Sequence, residues 1–305
     1  MTDWLELRVE VAARDAELVA DILQQRCSGG VAIEHPGRPW AHDGQGGDAA
    51  QPETAIVRAF SPPDQTASAI GRSLKLALRF APLTTAPIWR RSRRIREQAW
   101  QESWKRHFHP LRIGRRIVIK PSWIAKSPGR PGDIVIELDP GMAFGTGQHP
   151  TTALCLQALE NEIKAGDRVL DLGTGAGILA IAAAKLGASR VLALDIDPQA
   201  VRAAQNNVAA NGAFPIVEVA EGTLESHVPK HKWDVVVANI SGEAIERRLP
   251  DLAGALAISG TFIASGFLED STSALSDLAV SCGLAVKETP ADGDWRAIVA
   301  KKTLA

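Results

Sequence analysis

The spacing of apolar positions changes period several times along the chain, and each change marks an element. WLELRVEV (residues 4–11) alternates apolar and polar side chains, as a strand with one buried face does. DAELVADILQQRC (15–27) instead places Leu18, Ile22 and Leu23 on one helical stripe, and Gly29 and Gly30 stop it. GVAIEH (30–35) and TAIVRAF (54–60) read as strands, QTASAIGRSLKLALRF (65–80) as a helix, and IWR around residue 89 as a last strand. The polar, glycine-rich excursion 38–52 reads as a surface loop. The order βαββα predicts a small α+β module with a split βαβ sheet of the ferredoxin-like type over residues 1–90.

RIREQAWQESWKRHF (94–108) follows, with Trp100, Trp104 and Phe108 recurring every four residues on one helical face. Residues 91–110 therefore read as a basic, aromatic linker helix. Its indoles would pack on a neighbouring domain while Arg and Lys stay wet; the competing reading is a face on which nucleic-acid bases stack. GRRIVIKPSW (114–123) and GDIVIELD (132–139) then read as two strands.

From residue 167 strands and helices alternate: DRVLDL, GILAIAAAKLG, RVLALDI, PQAVRAAQNNVAANG, IVEVAEG, WDVVVANI, EAIERRLPDLAGAL and GTFIASG. The strands are continuously apolar, as in a sheet covered on both faces. LAVKETP and WRAIVAKK add two more. The prediction for 111–305 is a doubly wound, mostly parallel seven-stranded sheet of Rossmann-like type.

Composition changes this picture little. The 305 residues are 45% hydrophobic and 23% charged, ordinary globular usage. The start lacks a basic stretch followed by an apolar core, and there is no 18-residue uncharged apolar run, which points to a cytoplasmic protein without a membrane partner. Cys27, Cys155 and Cys282 are too few and too scattered for a disulfide framework or a metal site, so buried reduced thiols are expected. The net charge of −1 hides an asymmetry. Residues 87–120 hold eleven Arg or Lys against Glu97 and Glu102, a local +9 that suits an anionic partner or a domain seam.

Two glycine-rich runs carry the candidate chemistry. In an open parallel sheet the ligand lies beyond the carboxyl ends of the strands, so residues 171–177, Asp195 and Asn239 should rim one crevice. Gly173, Gly175 and Gly177 alternate, and Ile178 follows them, which departs from the G-x-G-x-x-G of dinucleotide enzymes. A phosphate-gripping Walker loop would end in Gly-Lys-Ser or Gly-Lys-Thr, and this loop contains no lysine before Lys185. D-x-G-x-G-x-G with an acidic residue ending the next strand resembles motif I of the S-adenosyl-L-methionine methyltransferases. For that cofactor, helix amides suit the methionine carboxylate, and Asp171 or nearby carbonyls suit its ammonium. Gly173 and Gly175 would let the backbone come close. Asp195 can accept from both ribose hydroxyls.

The other run, DPGMAFGTGQHPTT (139–152), is nearly uncharged and has three glycines. Together with its spacing to Gly173, the LDIDPQAV run and VVVANI, it resembles the PrmA family, methyltransferases of ribosomal protein L11. The likeness runs from about Trp100 to the end of the catalytic fold. It implies that Thr152, Gly173, Asp195 and Asn239 contact the cofactor and that Phe144 covers it, so the bare run would be a lid. It also makes the front module a substrate-recognition domain, and the substrate the amino terminus and lysines of the ribosomal protein, with ribosomal RNA near the basic linker. Pro150 suits the first turn of the helix TTALCLQALE, and His149 is expected to shape its start rather than to act as a base.

Methyl transfer to nitrogen is an in-line displacement, so positioning dominates and little acid–base machinery is needed. Asn239 is the catalytic candidate, accepting from the amine or holding the methionine part, with Ile240 and Ser241 extending the wall. Three alternatives are open. An RNA methyltransferase of the same fold is disfavoured because amino-group base modifiers commonly carry Pro-Pro-Tyr or Phe after the fourth strand, where this chain has Ile240, Ser241 and Gly242. A non-catalytic binding protein is disfavoured by the intact loop, and an oxidoreductase by the glycine spacing.

Overall fold

The computed structural model describes all residues except 1–2, 25, 28–30, 35–53, 62–66, 97–109, 125–128, 139–148, 228–231 and 305. The chain divides into two compact units, Met1–Phe108 and His109–Ala305.

In the first unit, β1 (Asp3–Ala12), α1 (Ala16–Gln24), β2 (Val31–Glu34), β3 (Thr54–Ser61), α2 (Ala67–Phe80) and β4 (Ile88–Arg96) follow one another. The sheet order is β2-β3-β1-β4 with every neighbour antiparallel, the connectivity of a split βαβ unit. Alternation along β1 sends Leu7, Val9 and Val11 into a core shared with Val19 and Leu23 of α1, Val57 of β3 and Leu74 and Leu78 of α2. Asp15 closes the bottom of this unit by accepting from the Thr84 amide at 2.9 Å and the Thr84 hydroxyl at 2.7 Å.

β4 is longer than its local pattern predicts and runs six residues into the stretch read as a linker helix. β1 supplies the reason: its outer edge offers ladder partners as far as Asp3, which lies opposite Arg96, with a bulge between Glu6 and Arg8 absorbing the register. Trp100, Trp104, Phe108 and the loop 38–52 lie outside the described residues.

In the second unit a three-stranded sheet comes first: β5 (Leu111–Ile113), β6 (Ile117–Pro121) and β7 (Ile134–Leu138), with β6 and β7 parallel. Next are α3 (Pro150–Glu162), β8 (Arg168–Leu172), α4 (Ile178–Leu186), β9 (Arg190–Asp195), α5 (Pro198–Ala210) and β10 (Val217–Glu221). The chain then forms β11 (Trp233–Asn239), α6 (Gly242–Ala255), β12 (Leu256–Leu268), α7 (Thr272–Ser281), β13 (Leu284–Glu288), the short β14 (Ala291–Asp292) and β15 (Trp295–Lys302). The large sheet has the order β10-β9-β8-β11-β12-β15-β13, with β14 pairing β15. β15 is antiparallel to β12, β13 and β14, and the remaining pairs are parallel. The strand order reverses between β8 and β11, which opens the crevice at their carboxyl ends.

Both faces of this sheet are covered, which explains the unbroken apolar strands. Val235 and Val237 of β11 face one core with α3 and α4, and Val236 and Ala238 face the other with α6. Each fully buried Val or Leu contributes about 1.5–3 kcal/mol relative to exposure. The small sheet belongs to the first of these cores through Ile113, Ile117, Ile119, Ile136 and Leu138. The buried Glu160 of α3 binds it from beneath by accepting from the amides of Arg115 at 2.7 Å and Arg116 at 2.8 Å. Asn211, after α5, grips β7 at its other side, accepting from the Glu137 amide at 2.8 Å and donating to the Glu137 carbonyl at 2.5 Å.

Helix α7 and strand β5 have no counterpart in the sequence reading. The signal for α7 was Leu275, Leu278 and Ala279 at helical spacing, diluted by Ser and Thr. Cys27 and Cys155 are buried as expected, whereas Cys282 is half-buried. Among the described residues no helix is long and apolar enough to cross a membrane, and no His, Cys, Asp and Glu cluster could hold a metal.

Candidate functional site

The crevice is built from the ends of three strands. β8 ends in Asp171 and Leu172 and turns sharply into α4 through Gly173, Gly175 and Gly177, all with left-handed φ of 75°, 56° and 84°. An L side chain would be strained at each. The amides of Gly173 and Thr174 both donate to the Leu194 carbonyl, at 2.8 and 3.0 Å, which holds the loop against the end of β9. From α5, the buried Asn207 donates to the Ala176 carbonyl at 2.9 Å. Sequence reasoning missed that tether, although an asparagine on the apolar side of PQAVRAAQNNVAANG was its signal. Gly177 caps α4 without a side-chain bond, so the first amides of α4 get no side-chain cap from that residue.

Asp171 lies wholly buried beneath this loop, accepting from the Thr174 hydroxyl at 2.6 Å. Burial pushes its carboxyl up to about 7; the Thr174 hydroxyl and the Ala180 amide act in the opposite direction, and the nearby Asp195 carboxylate adds to the rise.

Asp195 ends β9 and stays half-exposed. Its Oδ2 accepts from the Gly175 amide at 2.9 Å and its Oδ1 from the Asp197 amide at 3.0 Å. The cap of α5 is a different residue, Asp197, which accepts from the Gln199 amide at 2.8 Å. Asp195 is thereby fixed in direction, and each of its oxygens retains a lone pair for a ligand.

Asn239 ends β11, and its Nδ2 donates to the Thr152 hydroxyl at 3.3 Å. Its Oδ1 is buried and has no hydrogen-bond partner among the described residues. An unmet buried acceptor at the mouth of a crevice suits a ligand that carries a donor. Thr152 itself is buried in the first turn of α3. Pro150 occupies that turn as expected, and His149 is the N-cap: its Nδ1 lies 2.7 Å from the Thr151 hydroxyl and accepts from the Thr151 amide at 3.3 Å. The ring packs edge-on against Trp295 at 4.7 Å, and burial pulls its pKa down to about 4. A neutral imidazole so occupied is a structural cap.

The structure thus brings Asp171, Gly173, Gly175, Asp195, Thr152 and Asn239 to the carboxyl ends of β8, β9 and β11 and the start of α3. Phe144 and the rest of 139–148 lie outside the described residues. Among the described cations of 87–120, Arg90 pairs with Glu10, Arg112 with Asp133, Arg116 with Glu160 and Lys120 with Glu137, each within its own unit. Arg91, Arg93 and Arg94 are exposed.

Comparison with known proteins places the chain in a family. The profile of the family described as "Ribosomal protein L11 methyltransferase (PrmA)" matches residues 3–303. A ribosomal protein L11 methyltransferase of Pelotomaculum thermopropionicum is 42% identical over 98% of this chain and 99% of its own. That of Geobacter metallireducens is also 42% identical, over 97% of each. Among solved structures, a ribosomal protein L11 methylase of Lactobacillus delbrueckii subsp. bulgaricus is 33% identical, with a TM-score of 0.59 over 65% of this chain and 100% of that one. The chain belongs to the ribosomal protein L11 methyltransferase family.

Proposed function

We propose that this protein transfers methyl groups from S-adenosyl-L-methionine to the amino terminus and lysine amines of ribosomal protein L11. The observation that carries the proposal is the meeting of an oriented carboxylate, Asp195, the start of α4 at Gly177 and an unmet acceptor, Asn239 Oδ1, at the carboxyl ends of β8, β9 and β11 in a chain of this family. These residue types fit the cofactor's ribose, carboxylate and cationic groups respectively. When bound, the cofactor supplies an electrophilic methyl group on a sulfonium.

Asp195 would accept from the two ribose hydroxyls. Gly173 and Gly175 would shape the loop over which the methionine part lies, and Asp171, buried beneath and raised to about 7, would add negative potential for the ammonium where its carboxyl has lost its proton. Phe144 roofs the cofactor, as in the family resemblance. Thr152, whose oxygen accepts from Asn239, keeps its own proton for the ligand side. Asn239 Oδ1 accepts from the attacking amine or from the methionine ammonium. A lysine, with its usual pKa near 10.4, must first lose a proton, and desolvation in the crevice favours the neutral form. With the cofactor held by Asp195 and the 173–177 loop, the neutral amine would take up its sulfonium methyl, leaving a neutral thioether, and the methylated ammonium would then shed a proton to solvent. Holding amine and methyl in line is the main contribution the protein makes.

The front unit recognises the substrate, the exposed Arg91, Arg93 and Arg94 of β4 supply positive charge for nearby ribosomal RNA, and the protein works in the cytoplasm. Incubating the purified protein with methyl-labelled cofactor and purified L11 tests the proposal. Label in L11 at lysines and the amino terminus is expected; no label in the protein, or label in RNA that survives protease, overturns it.

A further inference from the structure

Residue 240 occupies the space that two glycines leave open. Gly173, at the first turn of the cofactor loop, has φ of 75°, and a Cβ there would sit 2.3 Å from Ile240 Cγ2. Gly266, with φ of 101°, would place a Cβ 2.1 Å from the Ile240 carbonyl oxygen and 2.7 Å from its carbonyl carbon. Gly266 is the bulged residue of β12: Ser265 pairs with Ala297 and Phe267 with Arg296, and residue 266 has no partner on β15. Such a bulge bends the strand end locally. Ser265 fixes it by donating from its hydroxyl to the Arg296 carbonyl at 2.8 Å, while its own carbonyl accepts from the Ile240 amide at 3.1 Å.

The arrangement is a sandwich. The Ile240 backbone rests on the β12 bulge, and its side chain rests on the first glycine of the loop. Asn239, one residue earlier, is paired with Ser265 and bonded to Thr152. The nearest heavy atom that a Cβ at residue 173 would meet is a methyl group of Ile240.

We infer that Ile240 is a positioning residue that sets the cofactor loop at Gly173 against the end of β11, so that the cofactor site and Asn239 are held in register by one side-chain methyl. This rests on the cofactor reading above. It assigns the requirement for glycine at 173 to Cγ2 of Ile240 in addition to the left-handed φ.

Size exchange between the two positions tests it, read as the dissociation constant for S-adenosyl-L-methionine by calorimetry, with thermal melting alongside. Gly173→Ala alone should weaken binding at least tenfold, part of it from strain at positive φ. Adding Ile240→Ala, which removes Cγ2, should recover a factor of about five or more, whereas adding Ile240→Val, which keeps a methyl at that place, should recover nothing. Were Gly173→Ala unfolded, the same order in melting temperature reads the same contact, with the double variant carrying Ile240→Ala above the one carrying Ile240→Val. Equal behaviour of the two double variants, or a Gly173→Ala variant that binds as the unaltered protein does, overturns the inference. Failure of the unaltered protein to bind the cofactor would instead overturn the proposed function, so the two failures are distinguishable.

Discussion

The Asn239 side-chain amide donates to the hydroxyl of Thr152 at 3.3 Å, joining the end of β11 to the first turn of α3 across 87 positions of sequence. In this arrangement Nδ2 is spent on Thr152 and Oδ1 is left over. Thr152→Val should therefore lower kcat by about tenfold, equivalent to roughly 1.4 kcal/mol in the barrier, and change the cofactor dissociation constant less. Thr152→Ser should restore kcat. Steady-state kinetics on L11 with parallel calorimetry separates the two effects, and a loss confined to cofactor binding would count against the orienting role.

Asp195 has two amide partners of its own, and the proposed ribose bonds are additional to these. Asp195→Ala should weaken cofactor binding by roughly thirtyfold, the scale of about 2 kcal/mol for bonds to a charged acceptor. Asp195→Asn should fall between, since it keeps one acceptor oxygen. Calorimetry checks this, and unchanged affinity in the alanine variant would remove Asp195 from the site.

Two buried groups tilt stability against pH in opposite directions. Asp171 is raised to about 7 by burial, so the folded state holds its proton where the unfolded chain, near 3.8, has lost it; stability falls as pH climbs from about 4 to about 7. His149 is lowered to about 4 by burial against an ordinary value of 6.5, so its contribution is complete above 6.5 and fades as pH falls toward 4. Each slope reaches at most about 1.4 kcal/mol per pH unit. Melting curves from pH 4 to 7 should show Asp171→Asn gaining on the unaltered protein as pH rises, and His149→Gln losing ground over the same range. Parallel curves for all three would contradict both assignments.

Glu160 holds the turn between β5 and β6 through two backbone amides. Glu160→Ala leaves both amides without that acceptor, and the expected cost is about 2–4 kcal/mol at one to two per amide. Chemical denaturation measures it. A change within about 0.5 kcal/mol, the ordinary range for a surface substitution, would show that water replaces the carboxylate.

The large sheet was legible because its strands are apolar without interruption and its loops carry glycines whose left-handed φ no other residue adopts easily. The positions of Asp171, Gly173, Asp195 and Asn239 followed from strand ends alone. Other features depended on partners distant in sequence. β4 runs to Arg96 because β1 offers it an edge, and nothing in IWRRSRRIR announces that edge. Thr152 meets Asn239, and Ile240 meets Gly173, only once the sheet has assembled. Asn207 and Glu160 are polar residues on otherwise apolar helix faces, a signal visible in the chain but without the partner that gives it meaning.

The three thiols differ in reach. Cys155 is sealed in the core on the buried face of α3 and Cys27 in the core of the front unit; burial raises both thiols, that of Cys27 to about 11, so neither offers a thiolate to a reagent at neutral pH. Cys282, at the end of α7, is the accessible one among them. The native chain thus arrives with a single attachment point for a maleimide dye, on an element that supplies none of the residues placed at the crevice, and a reporter can be installed without first removing the other two cysteines.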